Sequence, residues 1–223
     1  MLSFKKYYDK YGKNHIFLVD EEEVRNQSLK LEEFTNYAIH SDFPDVIPPN
    51  EIWLSNRVSE KEKFILIDEA LHRIKCEARG MSPNQAYDVA LRHDRDIRQK
   101  LINSRQIDTP TSNPVSDSVY IKRFGTFKNI NIFIVDGSIV RDYYKTDFVE
   151  GGHDYVYRFV PWGEIWIDVE VSKEERMFIV IHEIVERELM RDKHMPYEKA
   201  HSKASKFEWR LRQKVKNEER TRR

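Results

Sequence analysis

The chain has 223 residues, 38 of them basic and 38 acidic, so no global field directs it to nucleic acid, an anionic membrane or an acidic substrate. Its single cysteine, Cys76, excludes an internal disulfide framework and a multi-cysteine zinc site, and it suits a reducing compartment. The length fits one large domain or two small ones, and either could bury a core.

The N-terminal stretch MLSFKKYYDKYGKNHIFLVD is basic, but its apolar run, Ile16 to Val19, is too short for a signal segment. No later window approaches the roughly 18 apolar residues of a membrane span. A soluble protein with no membrane partner is expected, cytoplasmic, and in a host cell's cytoplasm if its source is viral.

Three stretches of the first half return in the second. HIFLVD from His15 meets NIFIVD from Asn131, and HSDFPDVIPPNEIWL from His40 meets HDYVYRFVPWGEIWI from His153. From Ile65 to Lys100, residue n meets residue n + 114 without a gap, with identities that include Ile67/Ile181, Glu69/Glu183, Arg73/Arg187, Ala86/Ala200 and Arg98-Gln99-Lys100/Arg212-Gln213-Lys214. Between the halves, Ser104 to Ser118 (SRQIDTPTSNPVSDS) has linker composition.

In the second half, INIFIVDGSIVRDYY alternates around Asp136-Gly137, which predicts a two-residue hairpin. YVYRFVP and EIWIDVEV read as further strands joined by Pro161-Trp162-Gly163. Ser172, with Glu175 three residues on, predicts a helix N-cap ahead of the apolar spacing Met177, Val180, Ile181, Ile184 and Val185. A final helix begins near Pro196 and places Ala200, Ala204, Phe207 and Leu211 on a buried stripe. The expected organisation is α+β: a degenerate first repeat over 1–103, a linker over 104–118 and a second repeat over 119–223. Each repeat is a short antiparallel sheet followed by two helices, and the simplest packing is a pseudo-twofold pair within one chain.

The repeats differ where chemistry is conceivable. His182 and Glu186 lie four apart, on one face of the predicted helix, where both could bind one cation, and His201 in KAHSKAS can join from the next helix. Their counterparts are Asp68, His72 and Tyr87, so the first copy lost the site as a set while keeping Asp68 and His72 as ligand types. Such a His/carboxylate set leaves a coordination position at which zinc, or another divalent metal, activates water, and Glu183 stands where a general base would. Each residue also has a structural reading. His182 can be a satisfied core histidine, and Glu186 can pair with Arg187 or Arg191. Glu183 persists as Glu69, with Arg187 and Arg73 four residues on, which suits an i to i+4 ion pair. His153 in EGGHDYVYRF persists as His40, which suits a shared strand-edge hydrogen bond. Tyr155, Tyr157, Phe159 and Trp166 read as core. Arg210, Arg212, Lys214, Lys216, Arg220, Arg222 and Arg223 make a basic C-terminal run, usually a solvated helix end and less often a phosphate-binding surface.

The second half, through the Gly-Gly-His, Glu-Ile-Trp-Ile-Asp, His-Glu-x-x-Glu-Arg and Ala-His blocks, resembles a small domain found mainly in phage and metagenomic proteins, a family with no activity to carry over. A broader likeness to zincin metalloproteases rests on His182 and Glu183, and Glu186 departs from their second histidine. The likeness implies a zinc-binding protein, with hydrolysis of a peptide or similar acyl bond if it is catalytic. The alternative is a non-catalytic phage-type structural or host-interaction protein with a protein or peptide partner. Nucleic-acid binding through the C-terminal basic helix ranks third.

Overall fold

A computed structural model describes residues 4–27, 29–31, 34–104 and 117–222. The chain divides into two compact units, one comprising 1–111 and 140–147, the other 112–139 and 148–223. Most of the expected linker lies outside the described residues.

The first unit runs β1 (Lys5–Tyr11), β2 (Asn14–Val19), α1 (Glu21–Arg25), β3 (Tyr37–Ile39), β4 (Glu51–Ser55), α2 (Glu60–Glu77) and α3 (Pro83–Ser104). The chain continues with β5 (Tyr120–Phe127), β6 (Ile130–Val135), α4 (Gly137–Tyr143), β7 (Gly151–His153), β8 (Glu164–Asp168), α5 (Arg176–Lys193) and α6 (Tyr197–Arg222). The sheets have orders β1-β2-β4-β3 and β5-β6-β8-β7. The same topology thus appears twice, in a mixed α+β fold with two four-stranded sheets and six α-helices among the described residues. No described helix is long and apolar enough to cross a membrane.

Both sheets correct the expectation of purely antiparallel pairing. The central pairs are parallel, with His15 opposite Glu51 through Val19 opposite Ser55, and Asn131 opposite Glu164 through Val135 opposite Asp168. Parallel neighbours need a crossover, which the intervening helix and short third strand supply. The Glu-x-Trp of each central strand is a local clip: side chains two apart share a sheet face, so Trp53 Nε1 donates to Glu51 at 2.7 Å and Trp166 Nε1 to Glu164 at 2.9 Å.

Two predicted strands are absent. Asp136-Gly137 opens α4 because the Asp136 carboxylate accepts from the N–H groups of Ser138 (3.0 Å) and Ile139 (3.3 Å), satisfying helix-start donors instead of turning a hairpin. YVYRFVP is a series of turns in which the His153 carbonyl accepts from Val156 and Tyr157, both at 3.0 Å. Its aromatic alternation reflects ring packing, with Tyr157 stacked on Phe159 and Phe159 near Trp166. Ser172 does accept from Glu175 N–H at 3.3 Å, but this closes a preceding turn and α5 begins at Arg176.

The second unit's core is the sheet face under α5: Ile130, Ile132, Ile134, Ile165, Ile167 and Val171 against Ile179, Val180 and Ile184. Each such side chain contributes about 1.5–3 kcal/mol on burial. Met177 and Phe207, expected on buried stripes, are exposed. On α6 the buried line runs through Ala200, Ala204, Ser205, Glu208 and Arg212. The charged members of that line lead to the site.

Candidate metal centre

Three of the residues singled out in the sequence converge between α5 and α6. His201 Nδ1 lies 2.8 Å from Glu186 Oε2, His182 Nε2 lies 3.2 Å from His201 Nδ1, and His182 Nε2 lies 3.6 Å from Glu186 Oε2. A tetrahedral cation with bonds of about 2.0–2.1 Å separates its ligand atoms by roughly 3.3 Å. The three observed separations bracket that value. His182 and Glu186 meet because four residues is about one helical turn, and His201 reaches them because Ala200 and Ala204 let α6 approach α5 closely. The site opens on the His201 side, whose side chain is 35% exposed against 3% for Glu186.

Two further residues orient two of the three. Glu208 Oε2 lies 2.9 Å from His182 Nδ1, so that nitrogen donates to Glu208 and Nε2 is the one that faces Glu186 and His201. Glu208 is itself gripped by Arg212, which also pairs with Glu175 at the start of α5. On the other side, His153 Nε2 lies 3.1 Å from Glu186 Oε1, while His153 Nδ1 accepts the Tyr155 N–H at 3.1 Å. An Nδ1 that accepts leaves the ring proton on Nε2, so His153 donates to Glu186. A second grouping of nearby ligand atoms, His153, Glu183 and Glu186, is therefore less suited to a cation, because its histidine nitrogen already carries a proton.

The electrostatics are those of a buried charged network. Burial disfavours the His182 imidazolium, but hydrogen bonds to Glu186 and Glu208 and the nearby charge of Glu183 outweigh it and raise its pKa well above the ordinary histidine value. Burial pushes the Glu186 carboxyl up, and hydrogen bonds from His153, His182 and His201 more than reverse this, leaving it far below the carboxylate range. Glu208 is likewise disfavoured by burial but held down at about 2 by His182 and Arg212. Burial, followed by the charge of Glu186, pushes Glu183 up to about 8.

Glu183 does not pair with Arg187. Arg187 grips Asp154 in a fork, at 2.6 and 2.7 Å, just as Arg73 grips Asp42 at 2.9 and 2.6 Å. The arginine of the His-Glu-x-x-Glu-Arg block is thus scaffold in both copies, and its acid comes from the loop after the third strand. Glu186 pairs with neither Arg187 nor Arg191, which binds Asp192. The histidines that open the matching blocks also differ: His40 Nδ1 lies 2.6 Å from the Ile47 carbonyl, whereas His153 serves Glu186.

Sequence reasoning missed Glu208 and gave His153 another role. The repeat carried a signal for the first, since Glu208 matches Asp94 and both bind an arginine four residues on. In the first copy Tyr87 stands in place of His201, Asp68 contacts His93 at 2.5 Å, and His72 stacks on His93 at 4.1 Å. No cation-sized grouping forms there among the described residues.

Comparison with protein-family models, with curated proteins and with solved structures returns no match.

Proposed function

We propose that the protein binds one divalent cation, best matched by zinc, through His182 Nε2, His201 Nδ1 and Glu186 Oε2 in a zincin-like arrangement. The observation that carries this reading is the near-tetrahedral spacing of these three atoms, at 2.8, 3.2 and 3.6 Å. Two nitrogens and one carboxylate oxygen suit zinc better than magnesium or calcium, which prefer oxygen alone. Support comes also from the outer residues: Glu208 fixes the His182 tautomer and His153 holds the far oxygen of Glu186, as ligand-orienting groups do.

The three donors leave a fourth position toward the exposed side of His201, which favours hydrolysis of a peptide or similar acyl bond as the activity, with Glu183 as proton acceptor. Metal analysis of full-length protein purified without a histidine tag tests the binding reading. One equivalent of zinc is expected, and it is lost in His182→Ala and His201→Ala. Absence of stoichiometric metal after reconstitution, with His182→Ala indistinguishable from the parent, overturns it.

A further inference from the structure

The solvent face of α6 carries a row of like charge. Lys199, Lys203, Lys206, Arg210 and Lys214 are spaced by four, three, four and four residues, which keeps them in one stripe opposite the buried Ala204, Glu208 and Arg212. All five are exposed, and none pairs with an acid among the described residues. At 1.5 Å per residue the row is roughly 22 Å long.

Helix stability does not account for it. Cations are favoured only near a helix C-terminus, and Lys199 stands in the first turn, where the macrodipole disfavours it, while the other four lie mid-helix, beyond its reach. The duplication supplies a control: the matching positions on α3 are Gln85, Val89, Arg92, Asp96 and Lys100, a mixed face of the kind a solvated helix needs. The same scaffold thus stands in one copy with a balanced face and in the other with five cations, in a chain with no net charge.

We propose that this face of α6 binds the phosphate backbone of duplex nucleic acid. An anionic membrane fits less well, because a helix lying in a bilayer surface inserts a continuous apolar face, whereas the exposed apolar residues of α6, Tyr197, Phe207 and Val215, stand apart along the helix and Ala200 and Ala204 are buried. Of the basic C-terminal run, Arg210 and Lys214 belong to this stripe, Arg212 is buried between Glu208 and Glu175, and the side chains of Arg220, Arg222 and Arg223 lie outside the described residues. The stripe is independent of the metal centre.

Fluorescence anisotropy of the full chain with a labelled 20-base-pair duplex DNA over a salt series tests this. Five phosphate contacts give a slope of log K against log salt of about −4.5, or roughly a 500-fold loss between 50 and 200 mM. Removing two contacts in Lys203→Gln/Arg210→Gln reduces the slope to about −2.7, while Arg92→Gln on α3 leaves it unchanged. These exposed substitutions keep the circular dichroism and the metal content of the parent. Binding that is absent or independent of salt, that is equal in the double variant, or that appears with phosphatidylserine vesicles and not with DNA, overturns the proposal.

Discussion

Glu208 Oε2 and His182 Nδ1 lie 2.9 Å apart across the α5–α6 interface, in a contact that fixes which histidine nitrogen faces the cluster. Glu208 is no ligand in this reading; it acts through His182. Glu208→Gln keeps the shape but removes the charge that holds His182, so zinc affinity is expected to fall about 10- to 100-fold by competition titration, as for other outer-shell carboxylates. His182→Ala, by contrast, abolishes stoichiometric binding. Equal losses in the two variants would show that Glu208 coordinates directly.

The hydrolytic reading makes a separate demand on Glu183. Because its carboxyl is buried beside the site and lies outside the ligand triangle, Glu183→Gln retains one equivalent of zinc. Hydrolysis of a fluorogenic peptide library falls by about 10²- to 10⁴-fold, the usual contribution of a general base. A variant that loses zinc as well identifies Glu183 as a ligand; one that keeps full turnover removes its role as base.

The repeat, the paired helices and the His182/Glu186/His201 set were legible because they depend on spacing along single helices and on a constant offset. What escaped depends on partners that residue type alone does not reveal. Asp136-Gly137 carries the same residue types whether it turns a hairpin or caps a helix, and only the Ser138 and Ile139 N–H groups decide. Apolar spacing on α6 places Phe207 inside. In the structure Glu208 is inside, since His182 and Arg212 satisfy its charge. Hydrophobic patterning misplaces a helix wherever its buried line is a paired polar network.

The glycines before His153 are fixed by close approach, not by turn geometry. A Cβ on Gly152 would lie 2.3 Å from the Tyr157 ring, and one on Gly151 would lie 3.0 Å from the Trp166 carbonyl oxygen. Gly152→Ala displaces Tyr157 or β7, and with it the His153 ring that orients Glu186. A destabilisation of about 1–3 kcal/mol by urea unfolding is expected, typical of overpacking, together with weaker zinc binding. Unchanged stability would mean that the turn after β7 yields freely.

Glu62 in the first unit is fully buried between Arg98, at 2.8 and 2.9 Å, and Arg141, at 2.9 Å, with Asp94 gripping Arg98 from the other side. Removing one member strands buried charge. Glu62→Ala is expected to cost about 3–5 kcal/mol in chemical unfolding. A loss below about 1 kcal/mol would show that Asp94 and Asp142 suffice as partners, Asp142 lying 3.1 Å from Arg98.

The pH dependence of the metal-free protein follows from groups that hold protons more tightly when folded. Burial first, and the charge of Asp94 second, push Glu69 up to about 8, and burial with Glu186 does the same to Glu183. A carboxyl whose folded pKa exceeds its ordinary value of 4.5 binds more protons in the native state between pH 4.5 and about 8. Its stabilising contribution is complete below 4.5 and is lost as pH rises through 8. His182, also raised in the folded state, acts in the same direction from its ordinary 6.5 upward. Stability without metal is therefore expected to decline from pH 5 to pH 8, and Glu69→Gln, neutral at every pH, flattens part of that decline. Zinc binding at the proposed site is expected to reverse the trend there, because the ligands must lose their protons to bind it and the cation would stabilise only the folded state. Urea unfolding at pH 5, 6.5 and 8, with chelator and with excess zinc, reads both slopes. A metal-free stability that rises over this range would contradict the folded-state protonation of Glu69, Glu183 and His182 together.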